Sequence, residues 1–312
     1  MSEEKVKVFA LAPNENWICD RFCNEWNQFS NGEYTENIHE ADIIWLLGAW
    51  AWRAVPLDYL SKKKVVATIH HITPSKFTKE SLREFLSRDR YVDAYHVPCQ
   101  QTSDFISKIT NKDIYVIPFW VNQNIWAPTP EKDAAKNREK YNLPTEAFLV
   151  GSFQRDTEGS DLKSPKLEKG PDRFCNIVEK MHAENKNLEV VLAGWRRQYV
   201  IGRLKAAGIK YHYFELPEIN VVSDLYNALD LYIVSARHEG GPQAIVECAA
   251  TKTPIISTKV GIAASILDDS SLYEEEEYES AQPNISTAYK NVEKLFVPAG
   301  IQEFKKMFKE IK

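Results

Sequence analysis

Short runs of aliphatic and β-branched residues alternate along this chain with stretches whose apolar positions recur at helical spacing. That is the pattern of parallel sheets layered with helices. In the first half the runs predict strands over Val6–Leu11, Ile43–Leu47, Val65–His70, Ala94–Pro98 and Tyr115–Pro118. Helical patterns over Asp20–Phe29, Lys79–Ser87 and Thr102–Ile109 lie between them. The second half repeats the rhythm, with strands over Phe148–Phe153, Val190–Ala193, Tyr211–Phe214, Leu231–Ser235 and Pro254–Ser257. Its helices are expected near Asp172–Glu184, Val200–Ala206, Ser223–Ala228 and Gln243–Ala250. A last segment, Ile301–Lys312, puts Ile301, Phe304, Phe308 and Ile311 on one helical face.

Between the two series lies Val121–Thr145, where Pro128, Pro130 and Pro144 flank a charged helical piece, Lys132–Tyr141. Polar, proline-punctuated segments are where few contacts cross, so this reads as a linker. The chain is therefore α/β with two Rossmann-like domains, residues 1–143 and 144–296, and a terminal helix at 297–312. The acidic run Glu274–Glu277 reads as a solvated face.

Composition narrows the class. A length of 312 residues accommodates two cores, and 44% hydrophobic with 27% charged residues is ordinary for a water-exposed fold. No apolar run reaches the ~20 residues of a membrane span. The start passes directly from charges into a strand, with no signal-peptide core, so a cytoplasmic location is expected. Five scattered cysteines fit reduced thiols, and Cys19 and Cys23 lack further ligands of matching type nearby. A net charge of −5 excludes a generally basic protein that coats nucleic acid.

The most informative chemistry lies in Leu231–Glu247, which runs from an apolar strand through Glu239-Gly240-Gly241-Pro242-Gln243 into a helix. Free N–H groups and the positive end of the helix dipole make such a turn an anion site. Glu239 and Glu247 flank it with seven residues between them, and carboxylates accept hydrogen bonds from sugar or ribose hydroxyls. A phosphate cradle between hydroxyl acceptors points to a nucleotide-sugar site.

This segment resembles the donor-site signature of retaining GT-B glycosyltransferases, in particular glycosyltransferase family 4. The resemblance implies two Rossmann-like domains facing each other across a cleft, with the terminal helix packing back across their junction. It places Glu239 on the donor sugar and Glu247 on the ribose, with the Gly240, Gly241, Pro242 and Gln243 segment meeting sugar and diphosphate. It extends to Phe148-Leu-Val-Gly151-Ser-Phe-Gln-Arg155 and, beyond a polar insertion, to Lys166-Leu-Glu-Lys169-Gly170-Pro171. The family sets an arginine and a lysine at these places on the diphosphate. Arg155 and Lys169 match by position, Lys166 is a rival because the insertion is long, and Gly151 ends the strand beneath. An arginine and a lysine stabilise the charge that builds on a departing diphosphate. Where the family commonly has a second glycine and then a glutamate after Gly261, this chain reads Ile262-Ala-Ala-Ser265.

The resemblance is fainter in the first half. It places a histidine at the end of Val65–His70 near the donor sugar, matching His70 with His71 beside it. The family's glycine-rich first loop is replaced by Ala12-Pro13-Asn14-Glu15-Asn16-Trp17, where Asn14, Glu15 and Asn16 offer hydrogen bonds to an acceptor. Trp50 and Trp52 follow the next strand, and tryptophan faces stack on sugar rings as well as in cores. A helix with Lys79, Arg83 and Arg90 beside Leu82, Phe85 and Leu86 offers peripheral contact with an anionic membrane at the inner face, or simply docks on its own sheet.

The expectation is a retaining glycosyltransferase that moves a sugar from a nucleotide-diphosphate donor to a hydroxyl of a glycan, lipid-linked or small-molecule acceptor. Domain closure aligns the reactants, and the nucleotide sugar is a co-substrate rather than a cofactor. No Asp-x-Asp triplet occurs, so no metal is expected. The alternatives are a sugar-nucleotide epimerase of the same fold and a non-catalytic sugar-nucleotide-binding protein.

Overall fold

The computed structural model describes residues 5–14, 18–130, 134–275 and 277–312. The chain divides by its packing into two units, Met1–Trp120 with Leu295–Lys312, and Val121–Lys294.

In the first unit the elements are β1 (Val8–Leu11), α1 (Ile18–Phe29), β2 (Ile43–Leu46), α2 (Leu57–Lys62), β3 (Lys64–Thr68), α3 (Lys79–Asp89), β4 (Ala94–Val97), α4 (Gln100–Ile106) and β5 (Asp113–Val116). The five strands form one parallel sheet in the order β1-β2-β3-β4-β5. Tyr34 forms a parallel bridge with Val8, so after α1 the chain first runs beside β1 and only then crosses to β2. The direction of winding reverses between β1 and β2, and loops at such a reversal leave a crevice at the strand ends. Asn14 follows β1 there, Trp50 follows β2, and His70 follows β3.

Covered on both faces, β2 and β4 are buried at every position, so β2 reads as an unbroken apolar run, while β4 buries His96 among apolar residues. One face packs against α1 and the C-terminal helix Gln302–Ile311. Phe304, Met307 and Phe308 of that helix are buried in a cluster with Trp26, Trp45 and Trp120. The rings of Phe304 and Trp120 lie 5.0 Å apart, and those of Phe308 and Trp45 5.3 Å. A polar chain threads this core: Trp45 Nε1 donates to Thr68 Oγ1 at 2.9 Å, and Thr68 bonds His96 Nδ1 at 3.0 Å. His96 Nε2 donates to the Ile117 carbonyl at 2.8 Å. Burial pulls the His96 imidazole down to about 3, so it is neutral in the fold.

The second unit holds α5 (Ala134–Lys140), β6 (Phe148–Ser152), α6 (Pro171–Glu184), β7 (Leu188–Ala193), α7 (Gln198–Ala206), β8 (Tyr211–Phe214) and α8 (Ile219–Ala228). It continues through β9 (Leu231–Val234), α9 (Gln243–Thr251), β10 (Ile255–Thr258), α10 (Ala263–Ile266), β11 (Leu272–Tyr273) and α11 (Ile285–Val292). Its six parallel strands run in the order β11-β10-β9-β6-β7-β8, so the winding reverses between β6 and β9. The loops after these two neighbours carry Arg155 and Glu239.

The proline-punctuated segment read as a linker packs on this unit. Ser223 Oγ donates to Ile125 O at 2.7 Å, and Asn227 Nδ2 donates to Ala127 O at 3.0 Å. Arg138 of α5 pairs with Asp230 at 2.7 Å and donates to Ala228 O at 3.0 Å. Asp230 also accepts from Leu149 N at 2.7 Å, which makes it a tie between α5, β6 and β9. Residues 132 and 133 of the charged piece and residue 276 of the acidic run lie outside the described residues.

Candidate functional site

Two glycines fix the glutamate turn from opposite sides. Gly170 has φ +65°, and a Cβ there would sit 1.8 Å from the Ser235 carbonyl oxygen. Its own carbonyl accepts from Ser235 Oγ at 2.8 Å. The start of α6 is thereby pressed against the end of β9. Gly261 has φ +55°, and its Cβ would lie 2.0 Å from the Gly240 carbonyl oxygen. Only residues without a side chain permit both approaches.

Pinned in this way, Lys169 meets Glu239 in an ion pair, Nζ to Oε1, with both side chains mostly buried. Gln154 Nε2 donates to the Lys169 carbonyl at 2.8 Å, which ties the β6 loop to the same point. The Glu168 carbonyl accepts from the N–H groups of Arg237 at 2.8 Å and His238 at 3.1 Å. Arg237 forks onto Asp172 at 2.7 and 2.6 Å. Pro242 is the cap residue of α9, with Gln243 its first helical residue, so Gly240 and Gly241 approach the positive end of a nine-residue helix.

The polar insertion after Arg155 folds into a short hairpin. Thr157 bridges Pro165, and Lys166 N donates to Asp156 O at 2.8 Å. That fold returns Lys166 to the site. Burial and then the Lys169 charge hold its ammonium below the ordinary lysine value, with Arg155 adding to this and Glu168 and Glu239 opposing it. Three cations and Glu239 therefore share one electrostatic neighbourhood. Arg155 is also held below its ordinary value, by burial and then by Arg196. Cations crowded like this and partly dried out favour a bound anion.

Sequence reasoning missed the frame around Arg155. Arg197 is fully buried, with Nε on Asp156 at 3.1 Å, Nη1 on Ser152 O at 2.6 Å and Nη2 on Ser152 Oγ at 3.1 Å. Asp156 also accepts from Tyr199 N and Val200 N in the first turn of α7, both at 3.3 Å. Burial outweighs these partners and raises the Asp156 carboxyl above its ordinary value. Next to this pair, Arg196 has φ +62°, and Trp195 is 51% exposed, with the Arg155 and Arg196 guanidiniums 5.9 and 5.3 Å from its ring. The one signal available in sequence was Gly194-Trp195-Arg196-Arg197 directly after a strand.

Glu247 is buried in α9 and accepts from the Tyr226 hydroxyl at 3.0 Å. Gly151 lies inside β6, where a Cβ would meet Leu229 Cδ1 at 2.2 Å. Its small size serves the packing beneath the site rather than an approach to a ligand.

In the first unit, His70 Nε2 donates to the Leu47 carbonyl at 2.8 Å and lies 3.5 Å from Cys19 Sγ. Its ring stacks on Phe119 at 5.6 Å and lies 5.9 Å from that of Trp50. His71 is partly exposed beside it, and Trp50 is 48% exposed. Trp52 differs from the sugar-stacking expectation. It is buried, with its indole N–H on Glu84 at 2.7 Å and Arg53 over its ring, so its face belongs to the core. Asn14 is exposed, with φ +56° and its N–H on Asp20 at 3.0 Å. With Asp20, Cys23, Tyr34 and Glu36 it lines a cavity of about 420 Å³ beside β1. Asn16, together with Glu15, lies outside the described residues.

Residues 162–295, which include Lys166, Lys169 and both glutamates, match the family model of glycosyl transferases group 1. No curated protein matches the chain. Among solved structures, Anabaena HepE in complex with UDP and glucose superposes with a TM-score of 0.78 at 14% identity, covering 98% of this chain and 100% of that one. A glycosyltransferase from Rickettsia africae gives 0.71 at 15%, covering 99% of each chain. Sucrose-phosphate synthase from Thermosynechococcus elongatus gives 0.69 at 14%, covering 94% of this chain and 77% of that one. The fold is GT-B, two Rossmann-like units. Within it, the segment similar to group 1 glycosyltransferases holds the glutamate turn and both candidate lysines. Among the described residues, no helix is long and apolar enough to cross a membrane.

Proposed function

We propose that this protein is a retaining glycosyltransferase of family 4 type that uses a nucleotide-diphosphate sugar without a metal ion. The observation that carries this reading is the Lys169–Glu239 pair at the reversal between β6 and β9, with Arg155 and Lys166 in the same electrostatic neighbourhood. The match to group 1 glycosyltransferases over the same residues supports it. HepE was crystallised with UDP and with UDP-glucose, which makes UDP-sugars the first donors to try.

In this reading Glu239 holds the donor sugar and Glu247 the ribose. The amides of Gly240, Gly241 and Gln243, with Arg155, Lys166 and Lys169, hold the diphosphate. The acceptor hydroxyl attacks the anomeric carbon from the face that the diphosphate leaves. The carbon–oxygen bond to the diphosphate breaks, its electron pair goes to the phosphate oxygen, and that oxygen takes the hydroxyl proton. The cations lower the barrier because charge grows on the leaving group. His70, His71, Trp50 and Asn14 in the first unit are the proposed acceptor-side contacts. Exposed Leu86 beside Lys79, Arg83 and Arg90 supports peripheral contact with an anionic bilayer, as a lipid-linked acceptor requires.

Incubation with a panel of nucleotide sugars, followed by assay of free nucleotide diphosphate and of the sugar, tests the assignment. Slow donor hydrolysis in EDTA is the expected result. An isomerised donor identifies the epimerase, and binding without turnover identifies a non-catalytic binder. Loss of turnover in EDTA, restored by manganese or magnesium, rejects metal independence. The anomeric configuration of the first product, read by NMR, decides retention.

A further inference from the structure

Glu247 is a glutamate on a helix, and its terminal torsion is a soft, broad one that by itself fixes no carboxylate orientation. Two hydroxyls of one ribose can be accepted together only if the carboxylate plane is already set. The structure supplies a device for this. Tyr226, on α8, donates its hydroxyl to Glu247 Oε2 at 3.0 Å, and both residues are buried. A hydrogen bond to an ionised acceptor is among the stronger and more directional kinds.

The phenol ring cannot drift. It packs against Phe153 with centroids 4.8 Å apart, Tyr232 at 5.3 Å and Trp126 at 5.8 Å. Phe153 lies two residues before Arg155, and its N–H donates to the Tyr232 hydroxyl at 2.9 Å. Tyr232 sits on β9, the strand that delivers Glu239. The Tyr226 carbonyl accepts from Thr253 Oγ1 at 2.9 Å, which anchors the backbone as well. Packed aromatic rings and the Tyr226 hydrogen bond therefore join the arginine loop, the glutamate strand and the Glu247 helix at the reversal of the sheet. Burial raises the Tyr226 phenol well above its ordinary value, so it remains a donor throughout the working pH range.

We infer that Tyr226 is a positioning residue for nucleotide recognition: it orients the Glu247 carboxylate toward the two ribose hydroxyls, and so makes the site selective for ribonucleotides. This rests on the reading of Glu247 as the ribose ligand. It adds a residue that neither the motif spacing nor the family match assigns.

The test is calorimetric, on the full chain. The nucleoside diphosphate bound most tightly among those of uracil, guanine, adenine and cytosine is compared with its 2′,3′-dideoxy analogue. The wild type is expected to prefer the ribonucleotide at least tenfold. Tyr226→Phe keeps the ring contacts and removes only the donor. It should cut that preference at least fivefold while leaving the dideoxy affinity within twofold of wild type. Glu247→Gln should abolish the preference, and adding Tyr226→Phe to it should change nothing further. Tyr226→Phe with an unaltered preference overturns the inference, as does equal weakening of both ligands, which marks a purely structural tyrosine. A wild type that binds both ligands equally, or a Glu247→Gln that keeps the preference, instead removes Glu247 from the ribose and the inference with it. A chain that binds none of the four diphosphates rejects the transferase reading itself.

Discussion

Lys169 and Lys166 are three residues apart and share one field, yet their geometry ranks them. Lys169 touches Glu239 directly, whereas the carboxylate beside Lys166 is Glu168, at 3.7 Å. Lys169→Ala should lower kcat by roughly 10²-fold or more, the scale of losing one preorganised stabilising donor. Lys166→Ala should cost less than about tenfold, or ~1.4 kcal/mol. Steady-state kinetics on both variants decide the ranking, and the reverse order gives Lys166 the role. His96 sets a different expectation at the same scale. Its native value of about 3 lies below the ordinary 6.5, so between those limits the unfolded chain binds a proton that the folded chain does not. This contribution to stability is fully present above the ordinary value and is lost as pH falls toward the native one. His96→Gln should lower stability overall and flatten the fall of Tm between pH 6.5 and 4. An acid limb as steep as that of the wild type would show that other groups set it.

At the scale of elements, the site is a matter of how two loops are pressed onto one turn. Gly170 and Gly261 each hold a left-handed conformation against a backbone carbonyl. A side chain at either should cost about 1–2 kcal/mol for the backbone alone, and more because the carbonyl cannot move freely. Gly170→Ala and Gly261→Ala should both lower the urea midpoint. Gly170→Ala should also depress kcat, because it displaces Lys169 from Glu239. Unchanged unfolding curves for both would show that these approaches relax without penalty. The motif around Gly240 was legible in sequence because a strand, a glycine turn and a helix leave a local signature. The packing of Gly261 onto Gly240 was not, since a helix and a strand, α9 and β10, separate the two.

The whole chain runs out of its first unit at Trp120 and returns to it at Leu295. The last helix completes the first core: Phe304 is fully buried against Trp45, Phe119 and Trp120. Phe304→Ala should therefore destabilise the first unit by about 3–5 kcal/mol, the range for removing a buried aromatic ring. Denaturant unfolding followed by tryptophan fluorescence measures this, since six of the eight tryptophans lie in the first unit. A cost below ~1 kcal/mol would mean that the helix is a loose attachment.

The alternation of strands and helices, the amphipathic face of the terminal helix and the glutamate turn were all legible along the chain, because each is written in neighbouring residues. Elements without a strong local pattern, such as α2 and α11, were not legible in it. Tertiary structure alone decided that the proline-punctuated segment packs on α8, and that Trp52 turns into the core while Trp50 stays exposed. It also decided that the insertion after Arg155 folds back to bring Lys166 into the site, and that Tyr226 meets Glu247. These are contacts between residues far apart in the chain. Which of them form depends on the order of strands in the sheet and on which side chains burial leaves room for, and neither is recorded in the spacing of residues.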